Sequence, residues 1–278
     1  MESIVTFSTI MVHVDFERSN NACLPIAVDL AEQFGAKLIG IAAFTMQVPF
    51  EEDAILSQTV IEDLRSQSAK QMMEAEARFR SAAGTRPRHV EWRSAMAWPM
   101  GFIAREARVA DLIIAGANRD GLLPFDQPWR LDPGDLVMQA GRPVLVVPPD
   151  AGKLKLKCAM IAWKDTREAR SAVNNALPLL HKVEEVVVVE VIENESDRTA
   201  AHGALDDVVS WLGHHGIEAS ARVFHFPDDQ QPMKKLWQYG ADFIVAGAYG
   251  HARVREWVFG GFTRDLLMRS PQCAFLAH

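Results

Sequence analysis

Gly247, Gly250 and Gly260 follow the pattern G-x2-G-x9-G, and Gly261 comes directly after the last of them. The apolar run Phe243–Ala246 leads into the first glycine, and a helix is expected from about Thr263. Glycine lets backbone approach a ligand closely, and the first N–H groups of a helix are unpaired donors that favour an anion. Such a loop can wrap a phosphate chain, with the Thr263 hydroxyl completing the cradle. His251, Arg253, Arg255 and Arg264 add positive charge nearby. The same residues also suit a plainer role, with glycines at tight turns and arginines on a solvated face.

An earlier stretch, ADLIIAGANRDGLLPFDQPWRLDPG, repeats this one without its glycines. Aligning the shared pairs Asp135-Leu136 and Asp265-Leu266 sets Arg130-Leu131-Asp132-Pro133 against Gly260-Gly261-Phe262-Thr263. Aspartate before a proline at the first helical position caps its own helix. Its carboxylate then stands where a phosphate would sit, and repels it. Arg119 replaces the second glycine, and Pro124 and Pro128 stiffen the loop between. At most one nucleotide site per chain is expected.

Other residues carry weaker signals. Lys164-Asp165 follows an apolar strand, and Trp163 just before it can stack on a ligand or pack under a helix. His214-His215 lies near Asp206-Asp207, but adjacent histidines point apart on a helix and no further ligands are suitably spaced. His13 within a strand reads as a packed core histidine. Asp15 reads as a helix cap or a retained feature rather than a functional acid. Met72 and Met73 are expected to help bury one side of a long helix. No GxSxG, Walker A or Ser/His/Asp arrangement occurs, so no catalytic residue is assigned.

These residues must be positioned by a duplicated scaffold. Strands are expected at Thr9–Val14, Lys37–Phe44, His89–Ser94 and Pro143–Val147, then at Cys158–Trp163, Glu185–Ile192, Ala219–Phe226 and Cys273–Ala277. In each half an ADxIxAGA strand precedes the last one. Helices are expected at Asn21–Phe34, Ala54–Ala83, Trp98–Arg108, Asp132–Ala140, Arg167–Leu180, Thr199–His215, Pro232–Gly240 and Thr263–Arg269. Leu24, Ala27, Val28, Ala31 and Phe34 share one helical face, and Gly35 is placed to stop that helix. VVVVEVI is the near-continuous β-branched run of a parallel strand covered on both faces. First strands align at an offset of 149 residues and ADxIxAGA strands at 131, a difference assigned to a longer second helix in the first half.

The fold class is therefore α/β: two tandem Rossmann-like domains, each a five-stranded parallel sheet in 3-2-1-4-5 order with helices on both faces. The domains are expected at 1–149 and 154–278, with Pro148–Lys153 as linker. Ligands of such sheets bind beyond the carboxyl ends of the strands, where strand order reverses. In the second half that point falls at Lys164-Asp165 and Gly247–Gly250, so topology and glycine spacing agree.

With 278 residues, 49% hydrophobic and 23% charged, the chain is of globular type. Its net charge of −7 argues against a nucleic-acid partner. Three isolated cysteines, Cys23, Cys158 and Cys273, read as reduced thiols. No apolar run approaches the roughly 18–20 residues that span a bilayer, so no membrane partner is expected. The N-terminus has no basic stretch and reads as a first strand rather than a signal peptide. Cytoplasm is the expected location.

At this point a resemblance enters. AGAYGHARVREWVFGGFTRDLL resembles the nucleotide loop of universal stress proteins, and the strand running to Asp15 is similar to their first strand. The resemblance covers essentially the whole chain as two tandem domains. It implies an adenine nucleotide alpha hydrolase-like fold that binds ATP or another adenine nucleotide, with Mg²⁺ as an optional companion. Gly247, Gly250 and Gly260 match the family glycines. Gly261 stands where the family has Ser or Thr, and Thr263 follows two positions later. The backbone amides of Gly261 and Phe262 would serve the phosphates. Lys164 stands where the family acid follows strand 1, with Asp165 one residue late. Val191 would meet the adenine.

The implied function is a stress-response signalling or protective switch governed by nucleotide occupancy. The alternative is a non-nucleotide-binding interaction module of the same fold. Slow ATP hydrolysis is a third reading, for which no base is evident beside the loop. Protein partners are not identified by the sequence. The last strands of the two halves are expected to pair within the chain as a pseudo-dimer, and a further homodimer stays open.

Overall fold

The computed structural model describes residues 6–16, 22–45, 58–117, 130–225, 236–237, 239–248 and 262–278. The first half contains strands β1 (Thr9–His13), β2 (Lys37–Phe44), β3 (Val90–Met96), β4 (Leu112–Gly116) and β5 (Val144–Val147). Its helices are α1 (Cys23–Phe34), α2 (Gln58–Ala83), α3 (Pro99–Glu106) and α4 (Pro133–Ala140). The second half contains β6 (Cys158–Ala162), β7 (Glu185–Ile192), β8 (Ala219–His225), β9 (Phe243–Gly247) and β10 (Cys273–Ala277). Its described helices are α5 (Arg167–Leu180), α6 (Arg198–His214) and α7 (Phe262–Arg269). Most of the helix expected at Pro232–Gly240 lies outside the described residues.

Local sequence accounts for these elements. Ala27, Val28 and Ala31 of α1 are buried, Leu24 and Phe34 pack partly against the same core, and Gly35 ends the helix at φ +62°. That left-handed conformation favours glycine. Val186–Val189 of β7 are buried on both faces of the sheet. Thr166 caps α5, accepting a hydrogen bond from the Ala169 N–H at 3.2 Å. In β2, Gly40 leaves room for the Phe79 ring of α2, which a Cβ there would meet at 2.7 Å.

The strands form one ten-stranded sheet in the order β3-β2-β1-β4-β5-β10-β9-β6-β7-β8. Each half therefore has the expected 3-2-1-4-5 order, parallel within itself. The halves join through the antiparallel pair β5–β10, with Leu145 opposite Phe275, both fully buried. One apolar core lies under α1, α2, α5 and α6, and a second under α3, α4 and α7 on the opposite face.

The aspartates of the two ADxIxAGA strands have an identified structural task. Asp111 Oδ2 accepts from the Ser8 and Thr9 N–H groups at 2.8 and 2.9 Å. Asp242 Oδ2 accepts from Lys157 and Cys158 at 2.9 and 3.0 Å. Each carboxylate ties the start of the fourth strand of its half to the start of the first.

One expectation is met in part, and one needs correction. Helix α2 has 26 residues and α6 has 17, which accounts for about half of the offset difference between the halves. The remainder falls mainly among residues 46–57, which lie outside the described residues. Met73 is 66% exposed and covers no core, and only Met72 is half-buried. The face of α2 that packs inward carries Ser68, Ala75, Phe79 and Ala83 instead.

Candidate functional site

The parallel register makes the halves comparable residue by residue. Thr9 pairs with Lys37, and Cys158 pairs with Glu185. Asp15 thus corresponds to Lys164, and Ala42 of β2 corresponds to Glu190 of β7. At the carboxyl end of strand 1 an acid has been exchanged for a base. On the neighbouring strand an alanine has been exchanged for an acid.

A cavity lies beside each of these places, but on opposite faces of the sheet, against the starts of α3 and α4 in the first half and against α6 in the second. In the second half a cavity of about 470 Å³ opens beyond β6 and β7, against the start of α6. Lys164, Glu190, Val191, Asn194, Asp197 and Ala201 are among the residues lining it. In the first half the space between His13, Asp15, Thr45, Arg130 and Leu131 is only about 30 Å³. That is room for about one water molecule. Asp132 caps α4 there, accepting from the Asp135 N–H at 2.9 Å, with Pro133 at the first helical position. Leu131 is buried beside it. The self-capped helix expected from the sequence is present.

His13 is buried as expected of a core histidine. Burial pushes its pKa down and the neighbouring Asp15 partly opposes this. The N-cap position of α1 is Ala22, not an acid, and Asp15 lines the small cavity beside His13.

The expected site residues fall into four groups. Lys164 and Val191 come together in the large cavity. Trp163, Asp165 and Gly247 take other positions at the same end of the sheet. Trp163 is half-buried and packs against the core under α5 and α6. The Asp165 carboxylate faces Arg170 at 2.7 Å. Gly247 sits against the first turn of α5, where a Cβ would stand 2.5 Å from the Ala169 nitrogen and 2.9 Å from Glu168 Cβ. Gly250, His251, Gly260 and Gly261 lie outside the described residues, as do Arg253 and Arg255. Phe262 and Thr263 form the first residues of α7.

Glu190 is the residue that sequence reasoning missed. It lines the cavity, and its Oε2 is buried without a hydrogen-bond partner among the described residues. Burial raises its pKa and nearby Asp165 raises it further, while Lys164 opposes both. Its signal was present in EVVVVEVI, where one acid interrupts an apolar run. Glu168, at the first turn of α5, is also buried. Its Oε1 meets the Arg167 Nε and its Oε2 has no partner among the described residues. Burial pushes the Glu168 carboxyl up, but hydrogen bonds from Arg167 and its surroundings outweigh that and leave it low. No group of three metal-ligating side chains occurs among the described residues. No helix among them is long and apolar enough to cross a membrane.

Comparison with solved structures bears on the whole architecture. A universal stress protein from Archaeoglobus fulgidus DSM 4304 aligns over 97% of this chain and 96% of its own, with a TM-score of 0.71 and 17% identity. The fold is that of a universal stress protein. A functionally unknown protein from Pseudomonas aeruginosa PAO1 shares this fold over 98% of the chain and 92% of its own, at a TM-score of 0.56 and 14% identity. So does the cytoplasmic domain of a prokaryotic cation chloride cotransporter, over 97% and 94%, at 0.53 and 11%. The universal stress fold thus serves more than one setting, and function must be argued from the site. No family model matches the sequence, and no curated protein does.

Proposed function

We propose that the chain is a tandem universal stress protein that binds an adenine nucleotide in its C-terminal half and acts through that occupancy in the cytoplasm. Residues 1–149 form the closed unit in this reading, and residues 154–278 form the binding unit. The observation that carries it is the cavity of about 470 Å³ at the carboxyl ends of β6 and β7, beside α6; the first-half cavity of about 30 Å³ lies on the other face of the sheet, under α3 and α4. The larger falls within the range of small-molecule sites. It has a cation, Lys164, where the closed half has Asp15. Val191, Ala201 and Ala204 supply apolar surface for a base. The glycine loop leaves β9 at the same end of the sheet, and α7 presents its N-terminus after it. Phosphates lie toward Lys164 and that loop, with Gly250, Gly260, Gly261 and the amide of Phe262 as donors. Mg²⁺ accompanies the phosphates where ATP is the ligand.

Calorimetric titration with ATP tests this directly. One site per chain is expected, and Lys164→Glu weakens it by reversing the charge beside the phosphates. A ligand at about 100 times its Kd stabilises the folded state by about 2.7 kcal/mol. A rise in Tm with ATP is therefore expected. No heat and no Tm shift at millimolar ATP with Mg²⁺ would remove the reading.

One observation favours the second reading, an interaction module that binds no nucleotide. Gly247 already has a structural reason, the close passage of α5. Absence of any ATP effect would leave that reading standing.

A further inference from the structure

The antiparallel seam turns the two halves end for end. The amino end of β5 therefore lies at the carboxyl ends of β6, β9 and β10, the end at which the second half has its cavity. Leu276 pairs with Val144, and the same register two residues further sets Arg142 opposite His278. His278 marks the point where the chain leaves β9. Its Nδ1 lies 3.0 Å from the Ala248 carbonyl oxygen, and the Ala248 N–H donates to the Ala277 carbonyl at 2.8 Å. Its Nε2 is 3.3 Å from Nη2 of Arg167, in the first turn of α5. One arginine from each half thus stands at this end of the sheet.

Arg142 is exposed but anchored, since its Nη2 donates to the Arg108 carbonyl oxygen at 3.3 Å. No carboxylate pairs with it among the described residues. A guanidinium without an acid partner is a fork of donors that matches phosphate oxygens. A surface arginine by itself is ordinary, and the duplication makes this one informative. Ile113 pairs with Val144 and Ile244 with Ala274, so Arg142 corresponds to Gln272. Gln272 stands opposite Pro148, at the equivalent end of the first half. It is neutral and tied to its own half. Its Nε2 donates to the Trp237 carbonyl at 3.2 Å, and its backbone N–H donates to the Ser270 hydroxyl at 3.2 Å. Across the seam, the second half faces a cation and the first half faces an occupied amide.

Strand order sets the reach. β6, β9, β10 and β5 are consecutive in the sheet, so β5 lies three strand spacings of about 4.8 Å from β6, or about 14 Å. A nucleotide with its base against Val191 and Ala201 extends over the ends of β6 and β9 toward the seam. The last phosphate of a triphosphate comes nearest Arg142, and a monophosphate stops short. We infer that Arg142 of the first half binds the terminal phosphate of a nucleoside triphosphate held in the second half, so that the C-terminal site reads the length of the phosphate chain and is incomplete without its neighbour. This inference rests on the nucleotide reading above.

The test compares ATP, ADP and AMP by titration calorimetry on the full chain. The wild-type protein should bind ATP at least about tenfold more tightly than AMP, the scale of a hydrogen bond to a charged group. In Arg142→Gln that ratio should fall about tenfold, with the affinity for AMP unchanged to within about twofold. Arg142→Lys keeps the charge but loses the fork, so it should retain part of the ratio. Arg105→Gln removes another exposed cation of the first half, away from the seam, and should leave the ratio as it was. Because the readout is a ratio within each variant, a general loss of stability does not imitate it. Equal binding of ATP and AMP by the wild-type protein overturns the inference and leaves the nucleotide reading intact. So does a ratio unchanged in Arg142→Gln, or a parallel loss of ATP and AMP. An equal fall in Arg105→Gln overturns it too, by assigning the effect to the general field of the basic surface. No ATP binding overturns both readings.

Discussion

Gly247 passes so close to Ala169 that a Cβ on the glycine would stand 2.5 Å from the Ala169 backbone nitrogen. The atoms in the way belong to backbone and to the first carbons of Glu168, so no flexible side-chain end can move aside. Gly247→Ala should therefore destabilise the fold by about 1–3 kcal/mol, as overpacking does. Chemical denaturation measures it. An unchanged midpoint would show that α5 can step back without loss.

Asp132 caps α4 in the first half, accepting from the Asp135 N–H. Asp132→Ala should lower stability by about 1 kcal/mol, the usual effect of losing an N-cap. It should not create a second ATP site, because Leu131 and Arg130 still occupy the space. Two-site binding in this variant would show that the carboxylate alone keeps nucleotide out.

Glu190 gives stability a pH dependence of known sign. Its pKa is raised in the folded state by burial and then by Asp165, so the native form holds the proton more tightly than the unfolded chain. Its contribution is most favourable below the ordinary carboxylate range, about pH 4, and is lost as pH rises through the folded value. Glu190→Gln removes this loss. The difference in Tm between variant and wild type should grow in favour of the variant from about pH 4 to pH 7. A difference that is flat with pH would sink the assignment.

The thiols should differ in reactivity. Cys23 and Cys273 are buried, and burial pushes both upward, Cys273 to about 12. Cys158 is only half-buried, though its thiol is also raised. Alkylation under native conditions, followed by mass spectrometry, should label Cys158 first. Denaturant should expose all three equally.

Leu145 and Phe275 meet across the seam between the halves. Phe275→Ala should cost about 3–5 kcal/mol, the range for deleting a buried aromatic side chain. Equilibrium unfolding of the full chain gives the value.

The scaffold was legible in the sequence because its strands obey a strict pattern. Lys37–Phe44, Glu185–Ile192 and Cys273–Ala277 occupy the expected residues. Duplication helped, since each half checked the other. The β5–β10 seam followed from the need to cover two sheet edges. The site was less legible, because cavity walls come from residues distant in sequence. Glu190 was hidden inside an apolar strand that had been read for burial alone. At Gly247 the sequence shows a missing side chain but not that the first turn of α5 fills its place. The pairing of Asp165 with Arg170, five residues on, does not show in the motif.

The antiparallel seam has an evolutionary consequence. Two separate copies of one chain that meet along an edge must carry identical binding sites, so any substitution alters both. Here both partners are written in one chain and meet by construction, at a fixed ratio that dilution cannot change. Each site is then free to drift alone. One half could surrender its pocket to a capped helix and become a permanent brace, while the other rearranged its charges around an open one.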